Sequence, residues 1–329
     1  MAEDQARGMR PKRGGRPLAA AAVAVIAGAI VGPATASAGP AGRLVAHERP
    51  PAEASDAGRW TPRQMRRAEP LEPLTVPSAG AVASPTTVGA EPVFPARFRP
   101  FTTQAVTDPD LYPNSTNGKV FGRMPGLGAY SCSGTVVNAA NRSVLFTAGH
   151  CVKEPGRGGW AKKLIFVPSY QRGAQPFGQW TWDAIFTRSA WSKRGNINFD
   201  YSAVTLRKSN GRTVEDTVGS LRLAFNISKR QTYRPVGYPV NKSKSRVMWE
   251  CISDYGGRDP FYRRPGPPPM GIGCDMLSGA SGGGWSITGD RLASVTSFGI
   301  DGRRNRLYGP KLTKRANRMR LAAGRRKVG

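Results

Sequence analysis

From Gly118 to Phe298 the chain is a succession of apolar runs three to eight residues long, separated by glycine, proline, asparagine and charged residues. Runs of that length suit strands and are too short for helices. The expected strands are Lys119–Phe121, Ser133–Val137, Ser143–Thr147, Leu164–Val167, Trp180–Thr187, Tyr201–Leu206, Tyr233–Val236, Val247–Ile252, Trp285–Ile287 and Leu292–Phe298. No long amphipathic helix interrupts them. Many short strands with glycine- and proline-rich turns fold as an all-β sandwich or barrel.

The flanks differ in texture. Residues 1–38 read as an export signal: Arg7, Arg10, Lys12, Arg13 and Arg16 precede an apolar run from Leu18 to Val31, and Ala36-Ser37-Ala38 offers a small-residue cleavage site. The run is short of the roughly twenty residues that a membrane span requires. The expected product is secreted, cut near Ala38. Residues 39–105 are rich in proline, alanine and arginine without periodicity, and read as a pro-segment or disordered linker. His47 lies there, away from the folded part. The domain proper is expected over 106–310. Beyond it, residues 311–329 form a basic tail in which Leu312, Ala316, Met319, Leu321 and Ala322 fall near helical spacing. Two readings stay open for that tail: a helix docked on the domain, or a basic arm for anionic surfaces.

Forty-nine Lys and Arg against 21 Asp and Glu leave a net charge of +28. That excess attracts anionic surfaces and polymers. No RNP-like aromatic motif, zinc-knuckle spacing or helix-turn-helix pattern accompanies it, so no specific nucleic-acid partner is expected. The cysteines are Cys132, Cys151, Cys251 and Cys274, with no C-x-x-C pair, so no cysteine zinc site and no cofactor is expected. An even count in an exported chain points to two disulfides, and four cysteines allow three pairings.

Three stretches carry chemistry. Ser278-Gly279-Ala280-Ser281-Gly282-Gly283-Gly284 sets a serine among glycines, which permit a tight turn and leave room for a carbonyl beside the hydroxyl. The N–H groups of Gly279 and Ser281 can there converge on one point as an oxyanion hole. Taken alone, the same stretch is also an ordinary flexible turn. Thr147-Ala148-Gly149-His150-Cys151 follows the apolar Val144-Leu145-Phe146 and places His150 just past a buried strand. It is the one histidine of the expected domain, and imidazole is the side chain best suited to shuttle a proton near neutral pH. Nine acidic residues lie between His150 and Ser281, and an orienting carboxylate is sought among them. Asp200, in Asn198-Phe199-Asp200-Tyr201 leading into Ser202–Leu206, is best placed because a carboxylate entering a buried strand must have a partner. Asp183 is the runner-up.

Jointly, Cys132-Ser133-Gly134-Thr135-Val136-Val137, Thr147–Cys151, Asn198–Val204 and Gly279-Ala280-Ser281-Gly282-Gly283 resemble the trypsin-like serine proteases over about residues 118–310, closest to the secreted bacterial branch that includes glutamyl endopeptidases. The resemblance implies two six-stranded antiparallel β-barrels, here followed by a short C-terminal helix, and a serine endopeptidase that cuts proteins or peptides through an acyl-enzyme. It implies His150 as base, Asp200 as its orienter, Ser281 as nucleophile, Gly279 and Ser281 as oxyanion donors, and Ser297-Phe298-Gly299 as the strand that bonds substrate backbone. It also implies the Cys132–Cys151 disulfide, and Cys251–Cys274 follows by subtraction. Three positions depart from relatives. Ala280 stands where animal members carry an aspartate. Thr296 stands where glutamyl members carry a histidine lining the specificity pocket. Asp275, six residues before Ser281, stands where trypsin itself reads basic side chains. The competing reading is a catalytically silent barrel that binds polyanions or proteins.

Overall fold

The computed structural model describes residues 41–50, 59–76, 101–260, 264–288, 290–300 and 303–329. The export signal expected over 1–38 lies outside them. In chain order the strands are β1 (Leu44–Glu48), β2 (Glu69–Pro70), β3 (Leu74–Val76), β4 (Thr102–Ala105), β5 (Asn117–Met124), β6 (Gly128–Val137), β7 (Val144–Thr147), β8 (Lys162–Pro168), β9 (Trp180–Arg188), β10 (Ser202–Leu206), β11 (Arg222–Leu223), β12 (Thr232–Gly237), β13 (Trp249–Arg258), β14 (Met270–Gly273), β15 (Gly284–Ile287), β16 (Arg291–Val295), β17 (Phe298–Ile300) and β18 (Arg303–Gly309).

The first sheet runs β9-β10-β7-β6-β5-β8 and closes on itself where Thr181 and Trp180 of β9 pair with Ile165 and Phe166 of β8. It is a six-stranded antiparallel barrel filled by Val120, Val136, Leu145, Phe166, Ile185 and Val204. Strand β10 is buried along its whole length rather than on alternate residues. Val204 and Leu206 point into the barrel. Ala203 faces the other way, in a cluster with Ala316, Met319 and Ala323 of the C-terminal helix Lys314–Gly324. The tail is therefore a docked helix. Arg320 Nη1 donates to Asn138 O (2.7 Å), and Arg326 bonds Asp183 (3.0 Å) and Glu48 (2.5 Å).

The second sheet has the order β16-β15-β12-β13-β14-β18, with β17 beside β18 and β11 beside β16. Its two ends approach each other where Ser294 Oγ of β16 donates to Pro310 O just past β18 (2.9 Å). Tyr233, Met270, Ile272, Trp285 and Leu307 fill it. Both disulfides are formed, Cys132–Cys151 and Cys251–Cys274. The expected strand Leu292–Phe298 is broken at Thr296-Ser297, which turn away to hold the site described below.

Part of the stretch that composition marks as a disordered linker is ordered. Strand β1 pairs with the half of β9 left free by β8, and its His47 stacks on Trp160 (ring centroids 4.7 Å apart). Thr61 caps a helical turn, Pro62–Arg66, in a capping box with Gln64. Trp60 and Met65 are buried against Phe121 and Tyr170. Strands β2 and β3 then pair in parallel with β6 and β17 respectively. None of these pieces has a core of its own. They are held by apolar surface that the barrels supply.

Lys119 of β5 is a buried cation. Its Nζ donates to Ser245 O (2.6 Å) and lies over the rings of Phe121 (5.2 Å) and Tyr170 (5.3 Å). Burial, with Arg246 nearby, pushes its ammonium down to about 7. Between about pH 7 and its ordinary value of 10.5, the unfolded chain holds a proton that the folded chain has lost. Stability therefore rises with pH across that window, by at most about 1.4 kcal/mol per pH unit. In Lys119→Met the rise between pH 7 and 9.5 is expected to flatten, as read by urea unfolding at both values. An unchanged slope would show that Lys119 is not the group that titrates there.

Candidate active site

His150 sits on the loop that leaves β7. Val152 and Lys153 both donate their N–H groups to Gly149 O (3.1 and 2.9 Å), which winds the loop into a turn. The Cys132–Cys151 bridge ties it to β6, and the Tyr130 hydroxyl donates to Cys151 O. Gly149 is required by close approach, because a Cβ there would lie 2.8 Å from Asp200 Oδ1 and 2.7 Å from the Trp191 ring. Asp200 follows a 3-10 turn, Ile197–Phe199, and leads into β10. It is fully buried. Three donors converge on its carboxylate: His150 N–H on Oδ1 (2.7 Å), and His150 Nδ1 (2.8 Å) and Ser297 Oγ (2.5 Å) on Oδ2. Such a set satisfies a buried charge and fixes the plane of the imidazole. Trp191 meets that ring edge-on at 6.4 Å.

Ser281 sits on the loop that leads into β15 of the second sheet, but that loop is clamped onto the first. Ser133 N–H of β6 donates to Ser281 O (2.7 Å), and Ser133 Oγ donates to Gly279 O (2.8 Å). Gly282 N–H donates to Thr296 O (2.8 Å). Gly282 has φ +79°, and a Cβ on it would fall 2.1 Å from Thr147 Oγ1, three residues before His150. The serine loop thus lies directly against the end of β7 that leads into the histidine loop. Ser281 Oγ and His150 Nε2 are both buried, and neither has a hydrogen-bond partner among the described residues. The His150–Asp200 bond is made and the Ser281–His150 bond is not, a separation common in sites that close only around substrate.

The runner-up carboxylate is elsewhere: Asp183 is bonded to Arg326. Cys132, His150 and Cys151 form a cluster of metal-ligating residue types, with one ligand atom from each lying within 4.8 Å of the others, but both sulfurs are tied in the disulfide.

No family model matches the sequence. The fold and the sequence together match the crystal structure of the protease Anisep from Arthrobacter nicotinovorans, at 32% identity and a TM-score of 0.61, over 68% of this chain and 99% of that one. The chain belongs to the trypsin-like serine proteases. A thermostable serine protease, AL20, from an extremophilic microorganism matches at 31% identity and TM-score 0.59, over 64% of this chain and 97% of that one. Among curated relatives, an extracellular metalloprotease of Bacillus subtilis is 32% identical over 85 residues and a glutamyl endopeptidase of Bacillus licheniformis 28% identical over 122. The chain spans only 26% and 36% of the lengths of those two.

The remaining positions singled out in this chain are placed as follows. Asp275 is not a free anion: Lys242 Nζ pairs with its Oδ2 (2.5 Å), Thr103 Oγ1 donates to Oδ1 (2.7 Å), and Asn241 donates to its carbonyl (2.8 Å). Thr296 Oγ1 accepts from Trp285 Nε1 (2.9 Å). Phe298 is buried and stacked on Tyr308 (5.0 Å), while Gly299 is half-buried. Gly279, at φ +89°, donates its N–H to Leu71 O (2.8 Å), a carbonyl from the N-terminal flank. Two partners went unread in the sequence. The first is the Ser297 hydroxyl on Asp200, which sequence separation of 97 conceals. The second is the Leu71 carbonyl.

Proposed function

We propose that this chain is an exported serine endopeptidase whose catalytic residues are His150, Asp200 and Ser281. One observation carries the reading. Asp200 engages His150 through Nδ1, which leaves Nε2 unpartnered in a buried site where the Ser281 hydroxyl is also unpartnered. In the reaction His150 Nε2 takes the Ser281 proton as Oγ attacks a peptide carbonyl, then gives it to the departing amine. Asp200 stabilises the imidazolium between those steps. Gly279 and Ser281 N–H groups receive the oxyanion. Strand β17, with Ser297 before it, bonds the substrate backbone. No preference for Lys or Arg at the cut bond is proposed, because the Asp275 charge is already met by Lys242. The substrates are proteins or peptides. Lys314, Arg318, Arg325 and Lys327 stay exposed on the docked helix and after it, where they are available to anionic surfaces.

A fluorophosphonate tests the assignment. Incubated to completion, the folded chain is expected to gain one adduct, on the peptide that carries Ser281, and Ser281→Ala to gain none. A chain with both disulfides intact that forms no adduct at Ser281, even after its N-terminal flank has been cut away, would sink the protease reading in favour of a silent binding barrel.

A further inference from the structure

The N-terminal flank crosses the site. Glu69 and Pro70 pair with Tyr130 and Ser131 of β6, and Leu71 N–H donates to Ser131 O (2.8 Å). Leu71 O then accepts from Gly279 N–H, one of the two donors assigned to the oxyanion. Pro70 lies against Gly279, 3.2 Å from where a Cβ would stand. Leu74 N–H donates to Ser297 O (3.3 Å), and Leu74–Val76 pairs with Phe298–Ile300. The side chains follow the same path. Leu71 packs on the first barrel's core, and Leu74 on Phe298, Ile300 and Tyr308. The eight residues 69–76 thus run across both walls of the cleft and its oxyanion donor, and beneath them Ser281 Oγ and His150 Nε2 are shut off from solvent.

The direction of this strand matters. A productive substrate must put its leaving amine on the side of His150, which protonates it. That side is the wall of β6 and the Cys132–Cys151 bridge, joined by the Tyr130 bond to Cys151 O. The acyl half then lies toward β17. A substrate therefore runs from β17 to β6. Residues 69–76 run the other way, from β6 to β17, and both ladders are parallel. A carbonyl bound in that sense has its amide nitrogen turned toward the second sheet, where no proton from His150 can reach it. Anisep aligns over 99% of its length with 68% of this chain, so about a third of this chain has no counterpart there.

We propose that residues 69–76 are a built-in inhibitor, a strap laid backwards through the active-site cleft that fills the oxyanion site with the Leu71 carbonyl and keeps the protease silent until it is removed. The proposal rests on the assignment of Ser281 as nucleophile and adds its regulation. The strap blocks by competition: substrate and reagent reach Ser281 only when both ladders open.

The test compares one folded preparation in two states. A recognition site for an unrelated protease is inserted in the full chain between residues 77 and 100. The rate of fluorophosphonate labelling at Ser281 is measured before cutting, and again after cutting and removal of the N-terminal fragment by gel filtration. Leu74→Pro, which deletes the N–H to Ser297 O and breaks β3, is labelled uncut in parallel. Loss of one hydrogen bond of ordinary strength opens the cleft about tenfold more often, so Leu74→Pro is expected to label at least tenfold faster than the uncut parent. The cut form is expected to label faster still. During long incubation the Leu71–Glu72 bond is expected to stay intact by mass. Equal rates in the uncut parent, Leu74→Pro and the cut form overturn the strap and leave the protease reading standing. Cleavage at Leu71–Glu72 overturns the reversed orientation. Absence of any adduct in all three forms removes the nucleophile, and the inhibitor with it.

Discussion

Replacing His150 by alanine is expected to lower kcat by about 10⁶, with KM within a few-fold of the parent, when measured on chain freed of residues 69–76 with a chromogenic peptide ester or amide. The size follows from what the residue does. Without a base the Ser281 hydroxyl must surrender its proton to water while attacking. Without the imidazolium the departing amine leaves unprotonated. Both losses fall on the transition state, so ground-state binding is nearly untouched. The surroundings argue that the fold will tolerate the change. His150 contributes its N–H to Asp200 through the backbone, which alanine retains, and the loop is held independently by the Cys132–Cys151 bridge and the turn on Gly149. Unchanged thermal unfolding alongside the lost turnover separates catalysis from structure. If turnover survives within tenfold, the proton is moved by some other group and the assignment of His150 is wrong.

How much of this was legible in the sequence depends on where the stabilising contacts lie. Most strands of both barrels were, because a run such as Val144–Phe146 between polar turns carries its burial in its own composition. Met270–Gly273 and Arg303–Gly309 were not. One is glycine-rich and the other arginine-rich, and they become strands by pairing with each other rather than by any apolar period. The residues proposed as catalytic were singled out one at a time, from buried strand ends and a glycine-lined serine. The Ser297–Asp200 bond was not, since it arises only when β16 breaks at Thr296-Ser297. The flank 59–76 misleads for a different reason. Its prolines and its few apolar residues cannot build a core, which is what composition measures. Trp60 and Met65 are buried, and Leu71 and Leu74 half-buried, against cores that other residues built. One local signal was present: Thr61-Pro62-Arg63-Gln64 spells a helix start, with proline at the first helical position and glutamine three residues after the cap.

Asp200→Asn is expected to cost about 10⁴ in kcat while leaving the chain folded. The carboxylate accepts from three donors on two oxygens, and an amide keeps only one oxygen. Two orientations are available in the buried site. If the amide oxygen turns toward Nδ1, the NH₂ group confronts the backbone N–H of His150. Two donors then face each other away from water, at about 1–3 kcal/mol for the unmet group. If the oxygen turns toward the backbone N–H, the NH₂ donates to Nδ1, and the neutral imidazole must carry its proton on Nε2. The second arrangement gives a partner to the His150 N–H, to Nδ1 and to both amide hydrogens, because the Ser297 hydroxyl can rotate to accept where it formerly donated. It therefore prevails, and it is inert: an Nε2 already protonated cannot take the proton of Ser281. The loss comes from the wrong tautomer rather than from misplacement, so fluorophosphonate labelling and peptide turnover should fall together while unfolding stays near that of the parent. Asp200→Ala makes the contrast. It leaves the His150 N–H, Nδ1 and the Ser297 hydroxyl without an acceptor and is expected to destabilise the fold as well. An Asn variant that keeps more than a tenth of parental turnover would mean that the tautomer of His150 is set by something other than Asp200.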